Sequence, residues 1–242
     1  MGARHHASLI QRVGTAFLPT LFLLLQSVTL SAQTLRPVIV EHKRKARSKF
    51  EVVNNTLYPL NVILEPKSFS VSPEGKPSFR PLDSSIHLKL SAMSFRVPPK
   101  QGYLVFYEAT ADQLPAWFVV YCTFAGLPHQ QGLNIQVELP HTVYLLQKKP
   151  LEKSDIRILA AEFDEKTHAL LVRAENTGPC FGRALATEVR SKGKKRSFNG
   201  FPVFPHSQRL LRLSWEAPEF PEKVLLRFRG FQVEEKLLAR RE

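Results

Sequence analysis

Cysteine is nearly missing from this chain: its 242 residues include only Cys122 and Cys180. Two cysteines cannot build the disulfide framework that staples small exported domains, so a stable fold must rest on apolar cores. The pair is expected to stay unlinked, with Cys122 a buried free thiol inside "WFVVYCTF" and Cys180 exposed in "NTGPCFG". A sustained helical period is also missing. After the first thirty-odd residues the apolar positions, 17 phenylalanines among them, fall in short runs punctuated by glycines and 18 prolines, which argues for an all-β protein. Catalytic spacing is missing too: there is no HExxH, no GxSxG, no Walker loop and no paired Cys-x-x-Cys. The six histidines after residue 32 show no metal-ligand spacing, and "GKK" at Gly193 lacks the strand-to-helix setting that cradles phosphate. No enzyme activity, cofactor or metal is therefore expected, and a hydrolase using His141 and Cys180 ranks last among the readings considered.

Arg4 and Arg12, the apolar stretch "VGTAFLPTLFLLLQSVTL" and a small residue at Ala32 read as a secretory signal peptide over residues 1–32. Pro19 and Gln26 interrupt the stretch, against an uncleaved anchor, so no integral membrane span is expected after cleavage. Acidic residues are outnumbered throughout. The formal charge is +13, and removal of residues 1–32 takes away two arginines and no acid, leaving +11. For an exported chain this points to an anionic envelope surface or an acidic protein partner rather than nucleic acid. The runs "HKRKARSK" (His42 to Lys49) and "RSKGKKR" (Arg190 to Arg196) read as solvated hairpin turns.

Between turn residues the mature region is a series of strands. "LRPVIVE" reads as one strand and "KFEVVNN" as another closed by an Asn pair, while "YPLNVILEPKSFSV" aligns Leu60, Val62 and Leu64 on one face. "SPEGKPSFRPLDSS" reads as loop; "IHLKLS", "SFRVPPKQ", "GYLVFYEAT" and "PAWFVVYCTF" resume the strands. In "GLNIQVELPHTVYLL", Ile135, Val137 and Leu139 alternate with polar residues, Pro140 intervenes, and Val143 and Leu145 continue the alternation. A proline donates nothing to a ladder, so this strand belongs at a sheet edge or where it changes partners, with His141 a polar edge residue. An apolar edge is normally a hazard, so keeping one needs a reason. The pattern pauses at the charged "QKKPLEKSD". It restarts with "IRILAAEF", "ALLVRAENTG", "RALATEVRS", "RSFNGFPVF", "QRLLRLSWE" and "KVLLRFRGFQVEEKL", with Leu211, Leu213 and Trp215 as core. The expected organisation is a signal peptide (1–32), an immunoglobulin-like β-sandwich (33–147), a linker (148–154) and a second such sandwich (155–242).

Two tandem sandwiches behind a signal peptide, on a basic chain, resemble the periplasmic pilus-assembly chaperones, from about Leu35 to Leu238 in strand order. "SFRVPPKQGYLVFYEA" is similar to that family's proline turn before a strand, "LPAWFVVYCTF" to its core strand, and "LNIQVELPHTVYLLQKKP" to its last strand of the first domain. "LLVRAENTG" with "FPVFPHSQRLLRLSW" is similar to its Asn-terminated strand and later proline turn in the second domain. The resemblance implies a chaperone that caps pilin-like subunits by β-strand addition, with an outer-membrane usher as a further partner. It assigns Ile135, Val137, Leu139, Val143 and Leu145 to the donor strand. The family anchors the subunit's terminal carboxylate with an arginine in the first strand and a lysine in the last. Here Tyr144 occupies the lysine position and Pro37 the arginine position, so the implied anchor set is Arg36, Tyr144, Lys148 and Lys149. The family's subclass with a disulfide between these last strands is not matched. The alternative is an envelope structural or adhesive two-sandwich module that lends no strand.

Overall fold

The computed structural model describes residues 33–125 and 137–237; the expected signal peptide and Ile135 lie outside the described residues. Ten strands come first: β1 (Thr34–Arg36), β2 (Ile39–Lys43), β3 (Ala46–Val53), β4 (Leu60–Val71), β5 (Pro77–Pro81), β6 (Ile86–Leu90), β7 (Ser94–Val97), β8 (Gly102–Ala111), β9 (Ala116–Ala125) and β10 (Val137–Leu146). They form one sheet in the order β1-β3-β8-β6 and a second in the order β2-β10-β9-β4-β5, with β7 also on β4. Period-two alternation turns one row of each strand inward, so Leu60, Val62 and Leu64 of β4 meet Phe50 and Val52 of β3 in a single core.

Seven more strands follow: β11 (Ile156–Asp164), β12 (Ala169–Asn176), β13 (Gly182–Ser191), β14 (Lys194–Val203), β15 (Ser207–Ser214), β16 (Lys223–Arg227) and β17 (Gln232–Lys236). They pair as β11-β12-β15 and β14-β13-β16-β17. Trp215 and Leu213 are buried here as expected, with Leu211 half-buried against them. Trp215 donates its indole N–H to the Glu219 carbonyl at 2.7 Å, so the ring is buried without an orphaned donor. Between the two series residues 147–155 carry only a short 3-10 turn, Lys153–Asp155. The architecture is all-β, two successive β-sandwiches.

Each sandwich pins one corner with a buried asparagine at the end of a strand. Asn54 donates to the carbonyls of Tyr58, Val97 and Pro98 and accepts from the Thr56 N–H. Asn176 donates to the carbonyls of Cys180 and Phe204 and accepts from the Gly178 N–H. Amides buried this deeply hold carbonyls that no ladder reaches.

Several expectations are corrected. "LRPVIVE" is not one strand: the chain leaves the first sheet at Arg36 and enters the second at Ile39. The stretch expected as loop contains β5, where prolines are tolerated because the strand lies at a sheet edge. "HKRKARSK" is not a hairpin: β2 and β3 belong to different sheets, and only Arg44, at φ 67°, and Lys45 separate them. "KVLLRFRGFQVEEKL" folds back on itself as β16 and β17, turning at Gly230 with φ 94°. Cys180 is buried, 4% exposed, because the Asn176 amide draws its carbonyl inward; Cys122 is buried as expected, and both thiols are free.

Candidate functional site

The site is built on β10, whose two halves have different neighbours. Along its whole length β10 pairs antiparallel with β9, from Val137 opposite Phe124 to Leu145 opposite Ala116. On its other side β2 runs parallel, but only from Thr142 opposite Ile39 to Leu146 opposite Lys43. Pro140 stands just before that second partner begins. The strand is thus an edge over Val137–His141, where no described strand covers its other side, and an interior strand beyond. The expectation that it changes partners near Pro140 describes the second half better than a simple edge does. The physical reason is local: a residue without an N–H is harmless where the ladder is one-sided.

Side-chain burial follows the same division. Val137 and Leu139 are half-buried at the rim of the first core. Val143 and Leu145 are fully enclosed in it, so these two are not available to a partner, and their place in the expected donor row is corrected. His141, expected as a polar edge residue, is 0% exposed. Its ring stacks on Phe50 at 4.5 Å and meets Tyr107 edge-on at 5.4 Å, while Nδ1 lies 2.7 Å from the Pro37 carbonyl. That hydrogen bond fixes the proton on Nδ1 and ties β10 to the crossover between β1 and β2. Among the described residues the ring's buried Nε2 has no hydrogen-bond partner, and burial pushes the imidazole pKa down to about 4.

The anchor set does not come together as expected. Arg36 faces solvent on the first sheet and is engaged by Glu51 at 2.7 Å. Lys149 pairs with Glu152 at 3.2 Å and Lys148 is exposed. Tyr144 instead points out of the first core into an aromatic cluster with Phe69, Val119, Phe181 and Phe204, the last two from the second sandwich. Its ring stacks on Phe181 at 4.6 Å, and burial raises the phenol's pKa, partly opposed by Arg183.

Arg183, which no sequence pattern singles out, is the cation found there. Its guanidinium lies 5.3 Å from the centre of the Tyr144 ring, and its Nε donates to Glu41 at 2.9 Å. Glu41 is the β2 residue opposite Tyr144, so one ion pair bridges the two sandwiches beside the ring. Nearby, Gln147 donates to the Phe181 carbonyl at 3.0 Å and accepts from its N–H at 3.3 Å. Leu210 donates to the Pro73 carbonyl at 2.8 Å. Among the described residues no group of His, Cys, Asp and Glu could hold a metal ion, and no helix is long and apolar enough to cross a membrane.

No family model and no curated protein matches the chain. Solved structures do. A chain of the complex between the Salmonella enterica SafA pilin and the SafB chaperone aligns with TM-score 0.54 at 15% identity, over 87% of this chain and 99% of that one. The chain has the fold of the fimbrial chaperones. The class 5 fimbriae chaperone CfaA aligns with TM-score 0.53 at 9% identity, over 86% of this chain and 100% of that one. A chain of the CsuC–CsuE chaperone and tip-subunit pre-assembly complex of Acinetobacter baumannii gives 0.51 at 11% identity, over 84% and 97%. At such identities the fimbrial-chaperone likeness is one of fold, and side-chain roles rest on the geometry above.

Proposed function

We propose that this protein is a periplasmic chaperone for fibre subunits, exported through the leader at residues 1–32. Its body would be the sandwiches at 33–147 and 155–242, joined by the linker at 148–154. The observation that carries the reading is the half-paired edge of β10, with Val137 and Leu139 half-buried at the rim of the core. A subunit lacking a strand can complete its own sheet on that edge: main-chain hydrogen bonds give affinity, and the Val137 and Leu139 side chains, with Ile135 the next apolar position of the sequence pattern, give specificity. Complexes of proteins sharing this fold with a pilin and with tip subunits support the reading. An outer-membrane usher is the further partner it implies.

In this reading the positive charge for a client's terminal carboxylate comes from Arg183, across the Tyr144 ring, which exchanges its Glu41 partner for the client's carboxylate, in place of Arg36, Lys148 or Lys149. A guanidinium is suited to it because a charge-assisted hydrogen bond is about twice as strong as the neutral one a phenol offers.

The test is periplasmic co-expression with a fibre subunit, followed by native mass measurement of the complex. Val137→Ser with Leu139→Ser should abolish the complex while the free protein still folds and melts cooperatively, at a modestly lower temperature. Survival of the complex in that variant would remove β10 from the mechanism, and leave the structural or adhesive module as the better description.

A further inference from the structure

The outer face of the first sheet carries apolar surface that the strand-donation reading leaves unused. Alternation along β8 sends Val105, Tyr107 and Ala109 into the core and turns Leu104, Phe106 and Glu108 outward. Leu104 is 42% and Phe106 54% exposed, on a strand with β3 and β6 on either side. Single exposed apolar residues need no explanation. Here, however, the two are adjacent on one face, and Phe106 lines a cavity of about 570 Å3 spanning the three strands.

The rim of this cavity is positive. Lys49 stands opposite Phe106 with its ammonium 5.9 Å from the ring centre. Lys89 stands opposite Glu108 from the other side, and Arg47 pairs with Glu108 at 2.9 Å. Among the described residues neither Lys49 nor Lys89 has an ion-pair partner, so cations outnumber carboxylates around the cavity. An aromatic residue inside a polar, charged rim has the layout of a protein-binding patch.

We propose that this face docks an acidic protein segment that carries an aromatic or aliphatic anchor. The anchor lies in this open groove against Phe106, and flanking carboxylates meet Lys49 and Lys89. Charge complementarity selects this occupant. A second copy of the chain placed there by two-fold symmetry would set the same cations against each other. The surface is separate from β10, which belongs to the other sheet across the core, so both can be occupied together.

The probe is an extended peptide alternating Glu with Phe, its binding to the whole protein measured by fluorescence anisotropy at low salt. Controls are a Lys-for-Glu peptide, a Ser-for-Phe peptide, and vesicles of phosphatidylglycerol or phosphatidylcholine. The Glu/Phe peptide should bind, and both control peptides should lose roughly tenfold or more in affinity, about 1.4 kcal/mol. Phe106→Ser and the Lys49→Glu, Lys89→Glu double variant should lose as much, while Val137→Ser with Leu139→Ser keeps full affinity. Phe106→Ser is a surface change and should leave melting unaltered. Equal binding of the peptide by wild type and Phe106→Ser overturns the proposal, as does binding to phosphatidylglycerol vesicles with none to the peptide. So does a dimer in sedimentation that Phe106→Ser dissolves.

Discussion

The two halves of β10 have the same alternation and opposite uses. Beyond Pro140 the strand has β2 and β9 on its two sides, and Val143 and Leu145 are sealed in the core; before it, only β9 is present and Val137 and Leu139 stay half-buried. Nothing in the side chains separates Val137 from Val143. The difference lies in the neighbour that the crossover at Pro37 delivers, and it teaches that an apolar row becomes a binding element where a partner strand stops short.

The comparison breaks most severely from the sealed half. Leu145→Ala should destabilise the protein by about 2–5 kcal/mol, the range for emptying a fully packed site, read as a lower denaturant midpoint. A change under 1 kcal/mol would mean that this half is not core.

Next in size is the hinge between the halves. His141 is buried neutral, with its pKa pushed down to about 4 against 6.5 for the free imidazole. The unfolded chain therefore takes up a proton that the folded one refuses, and stability falls as pH drops from about 6.5 toward about 4. Going from about pH 7 to about pH 5 should cost roughly 2 kcal/mol through this residue. His141→Gln should flatten that slope; an unchanged slope would show that His141 finds a proton partner on acidification.

A smaller effect sharpens the other half. Val137→Ser with Leu139→Ser should lower stability by roughly 1–2 kcal/mol, less than full burial of the same atoms would give, while removing subunit binding. The smallest effect is expected at Arg36→Ala, since its pair with Glu51 is solvent-exposed: melting and subunit affinity should both stay unchanged. Arg183→Ala should weaken binding of a subunit's C-terminal peptide, and equal loss from both variants would return Arg36 to the site.

Strands were legible because period two survives any tertiary setting: β4, β8, β9 and the β13–β14 hairpin lie where alternation and Gly193 place them. Partners were not. The crossover that divides Leu35 to Glu41 between two sheets leaves only a proline in the sequence, and β5 hides among prolines that an edge strand tolerates. Burial of Cys180 depends on an amide four residues away, and that of Tyr144 on Phe181 and Phe204, which the chain reaches only after a second fold has begun. Arg183 has no local signature, because its partners Glu41 and Tyr144 come from the other sandwich. Long-range contacts of that kind are not encoded in spacing.

The aromatic cluster between the sandwiches has an optical consequence. The chain has two tryptophans, and each reports on a different place. Trp117 donates its indole N–H to the Phe69 carbonyl at 2.7 Å and lies 4.7 Å from the Phe204 ring, so its emission responds when the two sandwiches part. Trp215 is enclosed in the second core and stays dark to that event until the core itself opens. Replacing either with Phe isolates the other, so the same protein can be watched at its joint or in its interior without an attached dye.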